Sequence, residues 1–170
     1  MDLVNKVAQS GLLTFDLEDH YPAAGSIVSF DLKDHLFRGL ILREKDFREA
    51  LQAMDWSQYT DKIVAVHCSA DAIIPNWAWM LVAAQVQPVA RKVIMGDPQA
   101  ALVAYYRDVL QSADLSAYTD QRVVIKGCSD KDVPAEAYLE ITRLLRPVAK
   151  SIMYGEPCST VPVYKKKDPA

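Results

Sequence analysis

Three cysteines are the residues of this chain whose type best suits chemistry: Cys68 in His67-Cys68-Ser69, Cys128 in Gly127-Cys128-Ser129, and Cys158 in Pro157-Cys158-Ser159. Each is followed by a serine, whose hydroxyl or backbone N–H can hydrogen-bond a thiolate. Three thiolates brought together are costly without a cation to neutralise them, so a bound metal is their natural partner. Zinc would take a fourth ligand from His67, Asp71, Asp130 or Glu156, and an iron–sulfur cluster is equally compatible with three cysteines. The competing explanation is burial, because cysteine is among the most buried residue types and often packs as a small hydrophobe. No CxxC pair occurs, and the intervals are wide: 60 residues from Cys68 to Cys128 and 30 more to Cys158. Convergence of the sulfurs therefore depends on the fold.

Other candidates have ordinary structural explanations beside their functional ones. Asp71 and Asp130 could pair as acid and base, but an aspartate shortly before a helix usually caps it. His67 suits a ligand or a base, or simply a structural hydrogen bond. His20 and His35 lie in acidic surroundings and read as surface residues, and Trp77 and Trp79 as core. Arg143, Arg146 and Lys150 form a basic stripe that would hold an anion or face water. The chain has no GxGxxG, Walker loop, HExxH or GxSxG, which removes the commonest nucleotide, metalloprotease and serine-hydrolase readings. Two alternatives to a metal or cluster protein remain. One is a small-molecule enzyme with a single activated cysteine, Cys128 or Cys158, assisted by His67 or Asp130. The other is an interaction module whose cysteines merely pack.

The elements that must position these residues are read from an internal duplication. Residues 47–98 and 106–157 align without a gap at an offset of 59, and 17 of the 52 pairs are identical. Asp55/Asp114, Tyr59/Tyr118, Asp61/Asp120, Pro75/Pro134 and Gly96/Gly155 are among them. Two copies at this spacing imply a duplicated supersecondary unit inside one domain. Each copy reads helix, strand, helix, strand, with short apolar β-rich runs bounded by polar residues and a proline opening the second helix. The strands are predicted at 62–68, 91–95, 122–127 and 149–154. Helix 76–90 is apolar nearly all round and should be more buried than helix 134–148, which carries charges along one side.

Strands alternating with helices give right-handed βαβ units. The expected fold is a single α/β domain over 1–170, a mostly parallel sheet of about four to six strands flanked by helices. Its two pseudo-symmetric units, 47–98 and 106–157, follow a β-rich extension at 1–44 and precede an irregular tail at 158–170. Within the extension, TFDLEDH (14–20) and SFDLKDH (29–35) echo each other across a Pro/Gly turn, which predicts a β-hairpin or paired edge strands. In a parallel sheet the loops after each strand gather on one edge, where α/β proteins bind ligands. All three cysteines fall in such loops. Cys68 aligns with Gly127 and Cys128 with Ser69, so a site built from them would be asymmetric.

Composition narrows the function classes. The 170 residues carry a net charge of −3, with 24% charged and 51% hydrophobic residues, ordinary for a globular protein. The mild acidity argues against a general nucleic-acid binder, and Lys165-Lys166-Lys167 reads as a solvated tail. No run approaches the ~20 apolar residues of a membrane span, and the first twenty residues lack a secretory signal's apolar core. An odd number of widely spaced cysteines disfavours a disulfide framework and suits a reducing cytoplasm. Oligomeric state is not encoded in any of these patterns.

The chain also resembles an uncharacterised bacterial family defined as a domain of unknown function. The likeness is carried by GLILREKDFRE (39–49), HCSADAIIPNWAWM (67–80), VVIKGCSDKDVP (123–134) and RPVAKSIMYGEPCSTVPVYKKK (146–167). The resemblance implies a gene encoded beside the SUF-type machinery for iron–sulfur cluster assembly. The resemblance therefore implies a role near cluster biogenesis or cysteine-sulfur chemistry, with iron–sulfur assembly proteins as partners.

Overall fold

The computed structural model describes residues 11–127, 129–156 and 158–167. Two compact units divide the chain. The continuous unit is Pro22–Ala104, and the discontinuous unit joins the residues before Pro22 to those from Tyr105 onward.

In the continuous unit, β2 (Ile27–Asp31), β3 (Ile63–His67) and β4 (Lys92–Met95) form a parallel sheet in the order β2-β3-β4. β3 is central, and its first four residues are buried, as a strand covered on both faces requires. Helix α1 (Glu44–Ala53) buries Phe47 and Leu51, one turn apart on one face. Helix α2 (Asn76–Val86) buries Ala78, Val82 and Val86, an i, i+4, i+8 stripe. With Phe30, Leu32, Tyr59, Val64 and Val66 these side chains make the core of the unit.

In the discontinuous unit, β1 (Leu12–Asp16), β5 (Arg122–Lys126), β6 (Ser151–Glu156) and β7 (Ser159–Lys165) form a sheet in the order β1-β5-β6-β7. β1, β5 and β6 are parallel, and β7 folds back antiparallel on β6 with a bulge between Ile152 and Met153. Helix α3 (Pro98–Gln111) crosses the boundary between the units. Helix α4 (Ala135–Leu145) buries Ala137, Ile141 and Leu145. The offset of 59 relates the two units element by element: Ile63–His67 to Arg122–Lys126 and Asn76–Val86 to Ala135–Leu145, with Lys92 matched to Ser151.

The α/β class and the mostly parallel pairing agree with the sequence pattern, but the strands divide into two sheets where one was expected. The expected hairpin is also absent: β1 pairs with β5 and β2 with β3, both in parallel. The reason is local. Each N-terminal strand ends in an aspartate that accepts a hydrogen bond from the amide two residues on, Asp16 from Glu18 N and Asp31 from Lys33 N, both at 3.0 Å. This starts a 3₁₀ turn (Leu17–His20 and Leu32–His35) that takes the chain off the strand and sinks Leu17 and Leu32 into the interior. A hairpin needs a turn of two to about five residues instead. The segment expected as an irregular tail supplies β7. Helix α2 buries the same three positions as α4 and no more, and its Met80 is 70% exposed. Among the described residues no helix is long and apolar enough to cross a membrane.

Candidate functional site

The C-terminal ends of the strands are held differently in the two units. In the continuous unit, Asp31 ends β2 in register with His67, which ends β3. Asp31 Oδ1 accepts from the Ser69 amide at 3.0 Å and Oδ2 from Ser69 Oγ at 2.5 Å, so one carboxylate straps the loop after β3 to β2. Partial burial works to raise the Asp31 pKa. The Ser69 hydroxyl and amide, the Lys33 amide and nearby His67 outweigh it and hold the carboxyl below its usual range. His67 Nε2 lies 2.6 Å from Ser29 Oγ. Cys68 packs half-buried against the core, and its thiol donates to the Ala70 carbonyl at 3.6 Å.

In the discontinuous unit the loop is held by a different acid. Asp16 pairs with Lys126 Nζ at 3.0 Å, which raises the lysine's pKa. The loop after β5 is instead gathered by Glu18, whose Oε1 accepts from the amides of Ser129, Asp130 and Lys131 at 2.5, 3.0 and 3.4 Å. The Asp130 amide contributes most to holding the Glu18 carboxyl below its ordinary value. Cys128 and Pro157 lie outside the described residues. Cys158 is exposed at the turn from β6 to β7.

Several sequence expectations change here. The cysteines were expected on one shared sheet edge, but β3, which precedes Cys68, and β6, which precedes Cys158, belong to different sheets. Among the described residues, which do not include Cys128 of the proposed ligand set, no group of three or more His, Cys, Asp or Glu side chains could hold a metal ion. Asp71 and Asp130 do not cap the following helices, whose N-cap positions are Pro75 and Pro134 with no side-chain hydrogen bond. The basic stripe stays exposed, as the solvated-face reading had it, with Arg143 bonding Glu140 at 2.6 Å and the Arg146 guanidinium 3.9 Å from the centre of the Tyr164 ring. His20 and His35 are not plain surface residues. They stack on Phe15 and Phe30 at 5.1 and 5.4 Å, so the seven-residue echo marks one structural device used twice.

An apolar groove also appears, which the sequence reading did not identify. In the continuous unit Val66, Trp79, Met80, Ala83, Val93 and Met95 line a groove of about 350 Å³ between α2 and β4. Met80 and Met95 stand on its rim, 70% and 71% exposed. In the discontinuous unit a groove of about 260 Å³ is lined by Ile125, Tyr138, Leu139, Thr142, Met153, Tyr154 and Val163. Positions 66/125, 79/138, 80/139, 83/142 and 95/154 match at the offset of 59, so this is one feature in two copies. The second copy has an additional wall, Val163 from β7. The signal in the sequence was the missing polar face of α2, which was read as burial.

Among known protein families, a model described as a protein of unknown function (DUF2480) matches residues 1–166. No curated protein and no solved structure matches the chain.

Proposed function

The chain belongs to the DUF2480 family of proteins of unknown function, and we propose that it acts as a protein-interaction module, its continuous unit receiving an apolar segment of a partner protein in the groove between α2 and β4. One observation carries this reading: two methionines, each about 70% exposed, rim an apolar groove of about 350 Å³. Exposed apolar surface gathered around a concavity marks an interaction site more often than apolar residues scattered singly. Methionine suits such a rim, because its unbranched side chain adapts to different partner shapes. Among the described residues no charged or nucleophilic side chain lines the groove, which equips it for binding.

The test is a photo-crosslinking residue placed at Met80 in cells and, as control, at the exposed Lys45 on α1. A single protein crosslinked from position 80 and not from 45 is then purified. It is expected to bind the intact chain and to lose affinity at least tenfold to Met95→Asp, with folding unchanged. Equal crosslinking from both positions would refute the proposal.

A second reading is a zinc or iron–sulfur site using Cys68, Cys128, Cys158 and His67, with iron–sulfur assembly proteins as partners. The exposure of Cys158, within reach of an incoming ion, favours it. Anaerobic purification decides: a brown protein supports a cluster, stoichiometric zinc a metal site, and a colourless metal-free chain neither.

A further inference from the structure

The two copies of the repeat differ in what covers their last strand. In β4, Lys92 N donates to Lys62 O at 3.3 Å and Gly96 N to Val66 O at 2.9 Å, so these residues face β3. The alternation of a parallel ladder turns the amides and carbonyls of Val93 and Met95 the other way. Among the described residues no strand pairs with that side of β4. At the equivalent positions of β6, Ile152 and Tyr154 pair with Tyr164 and Val161 of β7. β7 also puts Val163 into the matching groove. Beyond its end, the Lys166 amide donates to Lys150 O at 2.8 Å, and Lys166 Nζ reaches Asp120 Oδ1 at 2.9 Å. The continuous unit keeps the counterpart of this last contact. Asp61 aligns with Asp120, is exposed, and shares its left-handed backbone, with φ of 59° against 54°.

We infer that the partner's segment enters as an extended strand, antiparallel on the outer edge of β4, with an aliphatic side chain in the Trp79–Met80–Met95 groove and a lysine or arginine against Asp61. This rests on the proposed interaction role and adds the geometry and chemistry of the occupant. Strand addition of this kind draws affinity from main-chain hydrogen bonds and specificity from alternate side chains. The molecule shows the arrangement once already, in β7 on β6. Charge favours another protein over a second copy of this chain. The β7 of a second copy is already paired within its own unit, and its four-residue β4, laid antiparallel, would bring Asp97 and no cation toward Asp61.

The probe is a synthetic peptide of residues 159–166, Ser-Thr-Val-Pro-Val-Tyr-Lys-Lys, titrated to millimolar concentration into the intact, ¹⁵N-labelled chain. The expected result is shifted and exchange-protected amides at Val93 and Met95, with contacts between peptide and β4 protons in antiparallel order. Replacing the last residue, Lys166→Glu in the peptide, should weaken binding about threefold, the scale of an exposed ion pair. In the Asp61→Asn chain that difference should vanish. Asparagine tolerates the positive φ at this position, so folding is retained. Shifts at Trp79 and Met80 with unchanged exchange at Val93 and Met95 would overturn strand addition and leave the groove proposal standing. No response at any of these residues would overturn the inference, with the groove then judged by the crosslinking result alone. Protection of Val93 and Met95 in the free chain together with a doubled mass in sedimentation would assign the edge to a second copy and also overturn it.

Discussion

Removing the Asp31 carboxylate should release the loop that carries Cys68. Asp31→Ala deletes three hydrogen bonds: from the Lys33 amide, the Ser69 amide and Ser69 Oγ. Buried bonds to a charged group contribute about 1.5–3 kcal/mol each, but water competes at this partly exposed carboxylate and cuts each to below ~1 kcal/mol. Replacing a capping aspartate by alanine alone costs about 1 kcal/mol. Together these give a loss of about 2 kcal/mol at neutral pH, read as a lower urea midpoint with unchanged slope. The pH dependence follows from the sign of the shift. The folded carboxyl lies below the ordinary aspartate value of 3.8, so its contribution is complete above that pH and is lost as the pH falls through the folded pKa. The difference between wild type and Asp31→Ala should therefore shrink in acid, and amide exchange of Ser69 should rise in the variant at neutral pH. A deficit of the same size below the folded pKa would mean that packing, not the ionised strap, holds the loop.

Three further outcomes are expected. Burial against Phe30 and Phe47 lowers the His35 pKa below 6.5 despite Asp34, so its contribution to stability is full above 6.5 and lost as pH falls through the folded value; unfolding free energies at neutral pH and at about pH 5 check this, and His35→Gln should remove the slope. Limited alkylation followed by peptide mass mapping should modify exposed Cys158 before half-buried Cys68, with Asp31→Ala accelerating only Cys68. Gly155→Ala should cost about 1–3 kcal/mol and loosen β7. Gly155 has φ of 115°, and an added Cβ would lie 2.6 Å from the Ser159 carbonyl oxygen, so unchanged exchange along Ser159–Lys165 would contradict this.

The sequence was most legible where packing is local. The apolar runs of β3 and β5 and the prolines before α2 and α4 announce elements within a few residues of their observed bounds. It was least legible where pairing is long-range. Periodicity tells which face of a strand is buried but not which strand lies beside it, so nothing in LLTFD reveals that Leu12 pairs with Arg122, 110 positions on. The echo between TFDLEDH and SFDLKDH held the missing information, since two matched strand-and-turn segments serve two matched repeats. The groove was missed for a related reason. A helix without a polar face signals burial only if something covers it, and in α2 Trp77, Trp79 and Leu81 are only partly buried while Met80 is exposed.

Among the described residues β7 pairs with β6 and no strand pairs with the outer side of β4, a difference decided just past the last strand of each copy. Both copies run through Gly-acid-Pro, at 96–98 and 155–157. Aspartate is the better helix cap, and Asp97 Oδ1 accepts from the Ala100 amide at 2.8 Å while its carbonyl accepts from Ala101 N at 3.0 Å. Pro98 suits a first helical turn, and QAALVAYYRDVLQ, rich in good helix formers, continues as α3. In the second copy the acid is Glu156, a poorer cap, and the residues that follow, Thr160, Val161, Val163 and Tyr164, favour a strand. The same duplicated scaffold is thereby sent into a helix once and back along its own edge once. Exposed edges invite aggregation unless they are short or charged. β4 is only four residues long and begins with Lys92, which restrains indiscriminate pairing while leaving room for a segment that also satisfies Asp61 and the groove.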